Sequence, residues 1–93
     1  MKIKEFQTLI EKIYYEKDKS RGKEGTFRRF VEEVGELARA IRRNEGLEEE
    51  FADVFAWLAT LASLYNINLE KAIEKYKKGC PRCKRIPCIC PLD

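Results

Sequence analysis

Apolar residues recur along this chain at helical spacing, and no run of useful length alternates with period two. Ile3, Phe6, Ile10, Ile13 and Tyr14 form one stripe and predict a first helix over residues 2–19. Residues 20–25 read as a basic, glycine-punctuated loop. Thr26 is placed to cap a second helix, with Phe27, Phe30, Val31, Val34, Leu37, Ala38 and Ile41 as its stripe. Asn44-Glu-Gly46 ends that helix after a last turn rich in Arg42 and Arg43. A third helix starts near Leu47, with Glu48, Glu49 and Glu50 in its first turn, and runs to about Tyr65. Beyond Phe51 it is apolar nearly all round, the pattern of a central helix buried on several sides. Asn66-Ile-Asn68 breaks it, and Asn68 caps a short fourth helix through Lys78. The expected fold is all-α: a small antiparallel four-helix bundle over residues 1–78, followed by a cysteine-rich tail over residues 79–93.

Ninety-three residues make one domain whose core is marginal. A helix as apolar as residues 51–65 therefore calls for a second subunit to cover part of it. A homodimer or homotetramer is the expected assembly. Residues 1–69 carry 12 basic and 13 acidic side chains, whereas residues 70–93 carry 7 basic and 3 acidic. So mild a basic excess, confined to the tail, does not make nucleic acid the default partner. The N-terminus is too charged for a secretory signal, and the stretch poorest in charge is too short to span a bilayer. Both point to a cytoplasmic protein without a membrane partner.

Candidate chemistry is narrowed by what is missing. There is no histidine, which removes histidine-based nucleophile systems and histidine-ligated metals. Ser20 and Ser63 sit in no nucleophile-elbow motif. Carboxylates remain. Glu33 and Glu36 lie one turn apart on the second helix, and Glu50 and Asp53 repeat that spacing on the third. An antiparallel pair joined by a short loop brings the two faces together, and four converging carboxylates repel one another unless divalent cations sit among them. Hard oxygen donors select Mg²⁺ or Mn²⁺ over zinc. Asp53, inside Phe-Ala-Asp-Val-Phe-Ala-Trp, is the most telling of the four, since a buried unpaired acid is costly. Gly35, mid-helix, fits a close helix approach beside such a site. The competing reading pairs Glu32, Glu33 and Glu36 with Arg28, Arg29, Arg39 or Arg43 on a solvated face, and assigns Glu48–Glu50 to the helix N-terminus.

Glu32-Glu-Val-Gly-Glu36, thirteen intervening residues and then Glu50-Phe-Ala-Asp53 resemble the Glu-Glu-x-x-Glu…Glu-x-x-Asp signature of MazG-like nucleotide pyrophosphohydrolases. Leu37-Ala after the first motif and Val54-Phe-Ala-Trp-Leu after the second match as well, and the likeness extends over residues 3–78. The resemblance implies an all-α, Mg²⁺-dependent (or Mn²⁺-dependent) enzyme that splits a nucleoside triphosphate into monophosphate and pyrophosphate, in a house-cleaning or pool-control role. It implies Glu33, Glu36, Glu50 and Asp53 as metal ligands, with Glu32 beside Glu33 orienting or deprotonating the attacking water. Glu49, also within a turn of Asp53, competes with Glu50 for its place. Trp57 lies one turn beyond Asp53 and either stacks on a nucleobase or belongs to the core. Lys75 and Lys78, with Lys71, either contact phosphates, as basic residues after the second motif do in relatives, or are solvated. Arg29 and Arg43 share a stripe with Glu33 and Glu36 and suit a salt bridge or a phosphate equally.

Cys80, Cys83, Cys88 and Cys90 place four thiols within eleven residues of the tail. Zinc is the favoured reading, with a structural role; disulfides, an iron–sulfur cluster or free thiols are the others. A second functional class also follows from the tail: a non-catalytic helical nucleic-acid-binding or regulatory module with a zinc-binding tail, its acids merely salt-bridged.

Overall fold

The computed structural model describes residues 1–92, and among these the regular structure is entirely helical. Helix α1 spans Ile3–Arg43, α2 Leu47–Leu64 and α3 Leu69–Ala72, followed by one 3₁₀ turn at Ile73–Tyr76. The all-α class stands, but the four-helix bundle does not form within the chain. The helices expected over residues 2–19 and 26–43 are both present as two arms of α1 that meet at the one non-helical residue, Gly22, and the expected fourth helix is a single α turn running into 3₁₀.

The predicted loop at residues 20–25 shrinks to one residue. Gly22 takes φ 85° and ψ 170° inside an otherwise helical run. Only glycine adopts that backbone without strain, so the helix bends there and nowhere else. Forty-one residues of straight helix would reach about 60 Å, whereas the longest dimension of the molecule is 43 Å. Arg21 secures the bend from both sides: its Nη1 donates to Asp18 Oδ1 at 2.8 Å and to Thr26 Oγ1 at 3.4 Å. Thr26 is therefore no N-cap. It is fully buried within the helix, held by packing and by this link rather than by cap chemistry.

The two arms of α1 share α2. The arm before Gly22 meets the C-terminal half of α2, where Gln7 Nε2 donates to Ser63 Oγ at 3.1 Å and to the Ile67 carbonyl at 2.7 Å. Gln7 Oε1 in turn accepts from the Leu69 N–H at 2.9 Å, and Ser63 Oγ donates to Glu11 Oε1 at 2.7 Å. One buried amide thus fixes the α2–α3 connection against α1. The Phe6 and Phe55 rings stack at 5.1 Å. The arm after Gly22 runs antiparallel to the first half of α2 through a short turn, with Asn44 left-handed at φ 54° and Gly46 at φ 67°. Asn68 caps α3 as its sequence indicates, accepting from the Lys71 N–H at 3.3 Å.

This hairpin covers one side of α2 only. Ala59 and Ala62 are buried, but Phe51 is 58 % exposed, and Phe55 and Leu58 are exposed too. The central helix is thus not enclosed by its own chain, because one bent partner helix contributes a single contact face. On α1, Phe27, Val31, Val34 and Ile41 form an equally open stripe. Gly35 also departs from expectation: a Cβ built there meets nothing within 4 Å, so no close helix approach requires it.

Two glycine substitutions should therefore move stability in opposite directions. Gly22→Ala should cost about 1–3 kcal/mol, the range for a strained backbone held in place. Gly35→Ala should stabilise by up to about 1 kcal/mol, the helix-propensity difference. Urea or thermal unfolding of both variants checks the signs.

Candidate functional site

The antiparallel register between α1 and α2 decides which acids meet. One carboxylate oxygen each from Glu33, Glu50 and Asp53 lies within 4.8 Å of the others. Glu33 and Glu50 are half-buried, and Asp53 is exposed, so its cost is like-charge repulsion rather than burial. The repulsion is visible at Glu50. Partial desolvation first, then the charges of Glu33 and Asp53, raise its carboxyl above the ordinary glutamate value.

Glu36 does not join this trio. Its carboxylate forms an exposed ion pair with Arg39 Nη1 at 3.5 Å, although its charge still reaches Glu50. It lines an open cleft of ≈ 330 Å³ together with Arg39, Arg43, Glu49, Glu50 and Asp53. Of the run of three glutamates, Glu50 is the one that stands beside Asp53 and Glu33. Glu32 is exposed and bonded to Arg29 Nη1 at 2.7 Å, while Arg29 Nη2 reaches Glu33 at 3.3 Å. Part of the salt-bridge reading thus holds alongside the cluster. Those bonds, the one to Glu32 first, hold the Arg29 guanidinium more firmly protonated than usual.

Trp57 is half-buried, with the guanidinium carbons of Arg21 at 4.8 Å and Arg29 at 5.0 Å from its ring centre. It lines a second cleft of ≈ 290 Å³ with Tyr14, Lys17, Asp18, Arg21, Asp53, Ala56 and Thr60. Asp53 borders both clefts and so links the carboxylate trio to the cleft beside Trp57. Asp18 and Arg21 are absent from the sequence-based candidates. The available signal was the helical spacing of Ile3, Gln7, Ile10, Tyr14 and Asp18, which sets an acid on an otherwise inward face. Asp18 is only 3 % exposed.

Lys75 and Lys78 are not brought to this site within the chain. They follow α3, which docks on the first turn of α1 through Glu70 accepting from the Lys4 N–H at 3.1 Å. From Asp53 to the end of α2 alone is about 16 Å of helix. Lys71 shares that location.

The four tail thiols also gather, with every Sγ within 4.8 Å of every other. Main-chain N–H groups of Cys83 and Arg82 pull the Cys80 thiol down to about 6, and N–H groups of Ile89 and Arg85 lower Cys83. Cys90, facing the other sulfurs, is pushed up to about 12. No helix among the described residues is long and apolar enough to cross a membrane.

Comparison with known families places this geometry. The model of the MazG nucleotide pyrophosphohydrolase domain matches residues 21–85, which include α2 and the arm of α1 that carries Glu32, Glu33 and Glu36. The chain belongs to the MazG nucleotide pyrophosphohydrolase family. That membership defines a hydrolase class acting on nucleotides, and it does not favour a non-catalytic nucleic-acid module. The match begins at the Gly22 bend, leaving the first arm outside it, and extends into the tail as far as Arg85. No curated protein matches the chain.

The raised Glu50 carboxyl has a testable sign. A native value above the unfolded one means the folded state binds more protons, so stability falls as pH rises through that window. Glu50→Gln should therefore raise the melting temperature of EDTA-treated protein near neutral pH. The gain should vanish below the ordinary glutamate range. Melting curves across pH, with and without chelator, check both.

Proposed function

We propose that the protein is a Mg²⁺-dependent nucleoside triphosphate pyrophosphohydrolase, releasing pyrophosphate and a nucleoside monophosphate from ribo- or deoxynucleotides. The observation that carries this reading is the convergence of Glu33, Glu50 and Asp53 on a family-matched helix pair. Three carboxylates within 4.8 Å are a hard-oxygen donor set suited to Mg²⁺ or Mn²⁺. When bound, the metal supplies charge neutralisation for the triphosphate and Lewis-acid activation of water.

The chain's own residues supply the rest. Glu33, Glu50 and Asp53 hold the metal, with Glu36 one turn from Glu33 as a further acid at the edge of the same cleft. Glu32, freed from Arg29, is the acid that orients the attacking water or takes its proton. Arg21 and Arg29 stand against the Trp57 ring and offer planar donors to phosphate oxygens. In this reading Trp57 packs against the nucleobase, and the polyphosphate extends toward Asp53. Catalysis is then charge stabilisation and positioning, and needs no histidine.

The open stripes of Phe27, Val31, Val34 and Ile41 on α1, and of Phe51, Phe55 and Leu58 on α2, support self-association. A second copy covers them in a homodimer or homotetramer and completes the helical bundle that one chain leaves open. A charged residue on that stripe tests the assembly. Val31→Glu should shift the protein toward monomer in light scattering and lower its melting temperature.

Pyrophosphate release from a panel of canonical and modified nucleoside triphosphates, in Mg²⁺ and in EDTA, tests the activity. Asp53→Asn and Glu33→Gln should each lose about 100-fold or more, while circular dichroism stays helical. Millimolar Mg²⁺ should raise the melting temperature of the parent protein and not of Asp53→Asn. Silence across the panel with no Mg²⁺ shift would remove the catalytic reading.

A further inference from the structure

The tail that begins at Gly79 folds without an apolar core. Ile86, Ile89 and Leu92 are all largely exposed, so no hydrophobic contact explains why the segment closes on itself. Its main chain nevertheless closes tightly. The Cys80 N–H donates to the Arg85 carbonyl at 3.1 Å, and the Lys84 N–H donates to the Cys80 carbonyl at 2.7 Å. Lys84 adopts the left-handed region at φ 62°, and Gly79 sits at φ 104°. A Cβ at Gly79 would fall 2.8 Å from both the Arg85 oxygen and Ile86 Cγ1, so only glycine lets the knuckle fold back on its stem.

That closure turns four sulfurs toward one point. Cys80 and Cys90 Sγ lie 3.8 Å apart, and Cys83 and Cys88 Sγ 3.9 Å apart. Four sulfurs bound at 2.3 Å around one tetrahedral ion are separated by about 3.8 Å along each edge. Bonded cysteine pairs would instead approach to about 2.05 Å. A multi-iron cluster places its own atoms between the thiolates and spreads them beyond what a single ion requires. The Cys90 N–H donates to Cys88 Sγ at 3.3 Å, an outer contact of the kind that steadies a metal-bound thiolate.

We propose that Cys80, Cys83, Cys88 and Cys90 form a structural zinc site, one tetrahedral thiolate-bound ion distinct from the carboxylate trio. The ligand chemistry sorts the two metals: soft thiolates take Zn²⁺, and hard carboxylates take Mg²⁺ or Mn²⁺. All four positions are filled by protein, so the zinc has no open coordination site and its role is to hold the tail folded. Four thiolates around one divalent ion leave an excess of negative charge, which Arg82, Lys84 and Arg85 offset from within the same loop.

The test uses the full chain, purified under reducing conditions without chelator. Metal analysis should find about one zinc per chain, and replacement by Co²⁺ should give the visible absorption of tetrahedral thiolate coordination. Cys88→Ser should lose the zinc while keeping its helical circular dichroism, and Asp53→Asn should retain it, which separates this site from the carboxylates. Limited proteolysis should cut the tail rapidly once a strong chelator or a mercurial has removed the ion, and slowly before. Four free thiols that remain metal-free after exposure to Zn²⁺ would overturn the proposal. So would two disulfides found by mass spectrometry, or iron with inorganic sulfide. The wild-type metal count and the Co²⁺ spectrum decide the matter even if a cysteine variant fails to fold.

Discussion

Asn44 and Gly46 both hold left-handed backbone, so α1 hands over to α2 within three residues and the two helices run back along each other without slack. Each turn backward along α1 is then matched by one turn forward along α2. Arg29 arrives beside Trp57, and Glu33 beside Glu50 and Asp53. A connection longer by two residues would leave the register free to slide, and the carboxylates would face apolar neighbours instead of each other. The charge cluster and the placement of Arg29 on the indole follow from this short reversal, and the Gly22 bend adds Arg21 and the far wall of the second cleft.

Close approach of three acids works against folding, and little in a single chain compensates for it. Among the described residues the buried apolar side chains are Ile10, Ala40, Ala59 and Ala62, a small set for a domain of this size. Much of the inward surface is polar and matched: Gln7 against Ser63 and two main-chain groups, Asp18 and Thr26 through Arg21. Such contacts specify geometry more than they add stability. The chain is built for a defined shape, and it leaves wide apolar faces on both long helices.

The site's acids were more legible in the sequence than the bend that shapes the fold. Spacing of three residues places Glu50 and Asp53 on one helical face, and an antiparallel hairpin carries Glu33 to them; both are local rules that packing left intact. Glu36, on the same face as Glu33, stands outside the trio and pairs with Arg39 instead. Residues 20–25 misled because serine, arginine and two glycines carry loop chemistry in any local reading. Only the Asp18–Arg21–Thr26 link, invisible to pattern, shows that one glycine takes up the whole change of direction. The apolar girth of α2 was legible too. A helix so apolar calls for more cover than one short chain supplies, and Phe51, Phe55 and Leu58 are indeed left exposed.

Trp57 is the only tryptophan, and it stands one turn from Asp53 with two guanidinium groups against its ring. An indole's excited state is sensitive to the electric field across it, and here that field is set by two cations on the ring and by carboxylates a few ångströms along the helix. Whatever enters the clefts beside it displaces or recruits those charges. The protein thus carries an intrinsic optical gauge at its carboxylate cluster, readable from the unlabelled chain by the colour and yield of its emission.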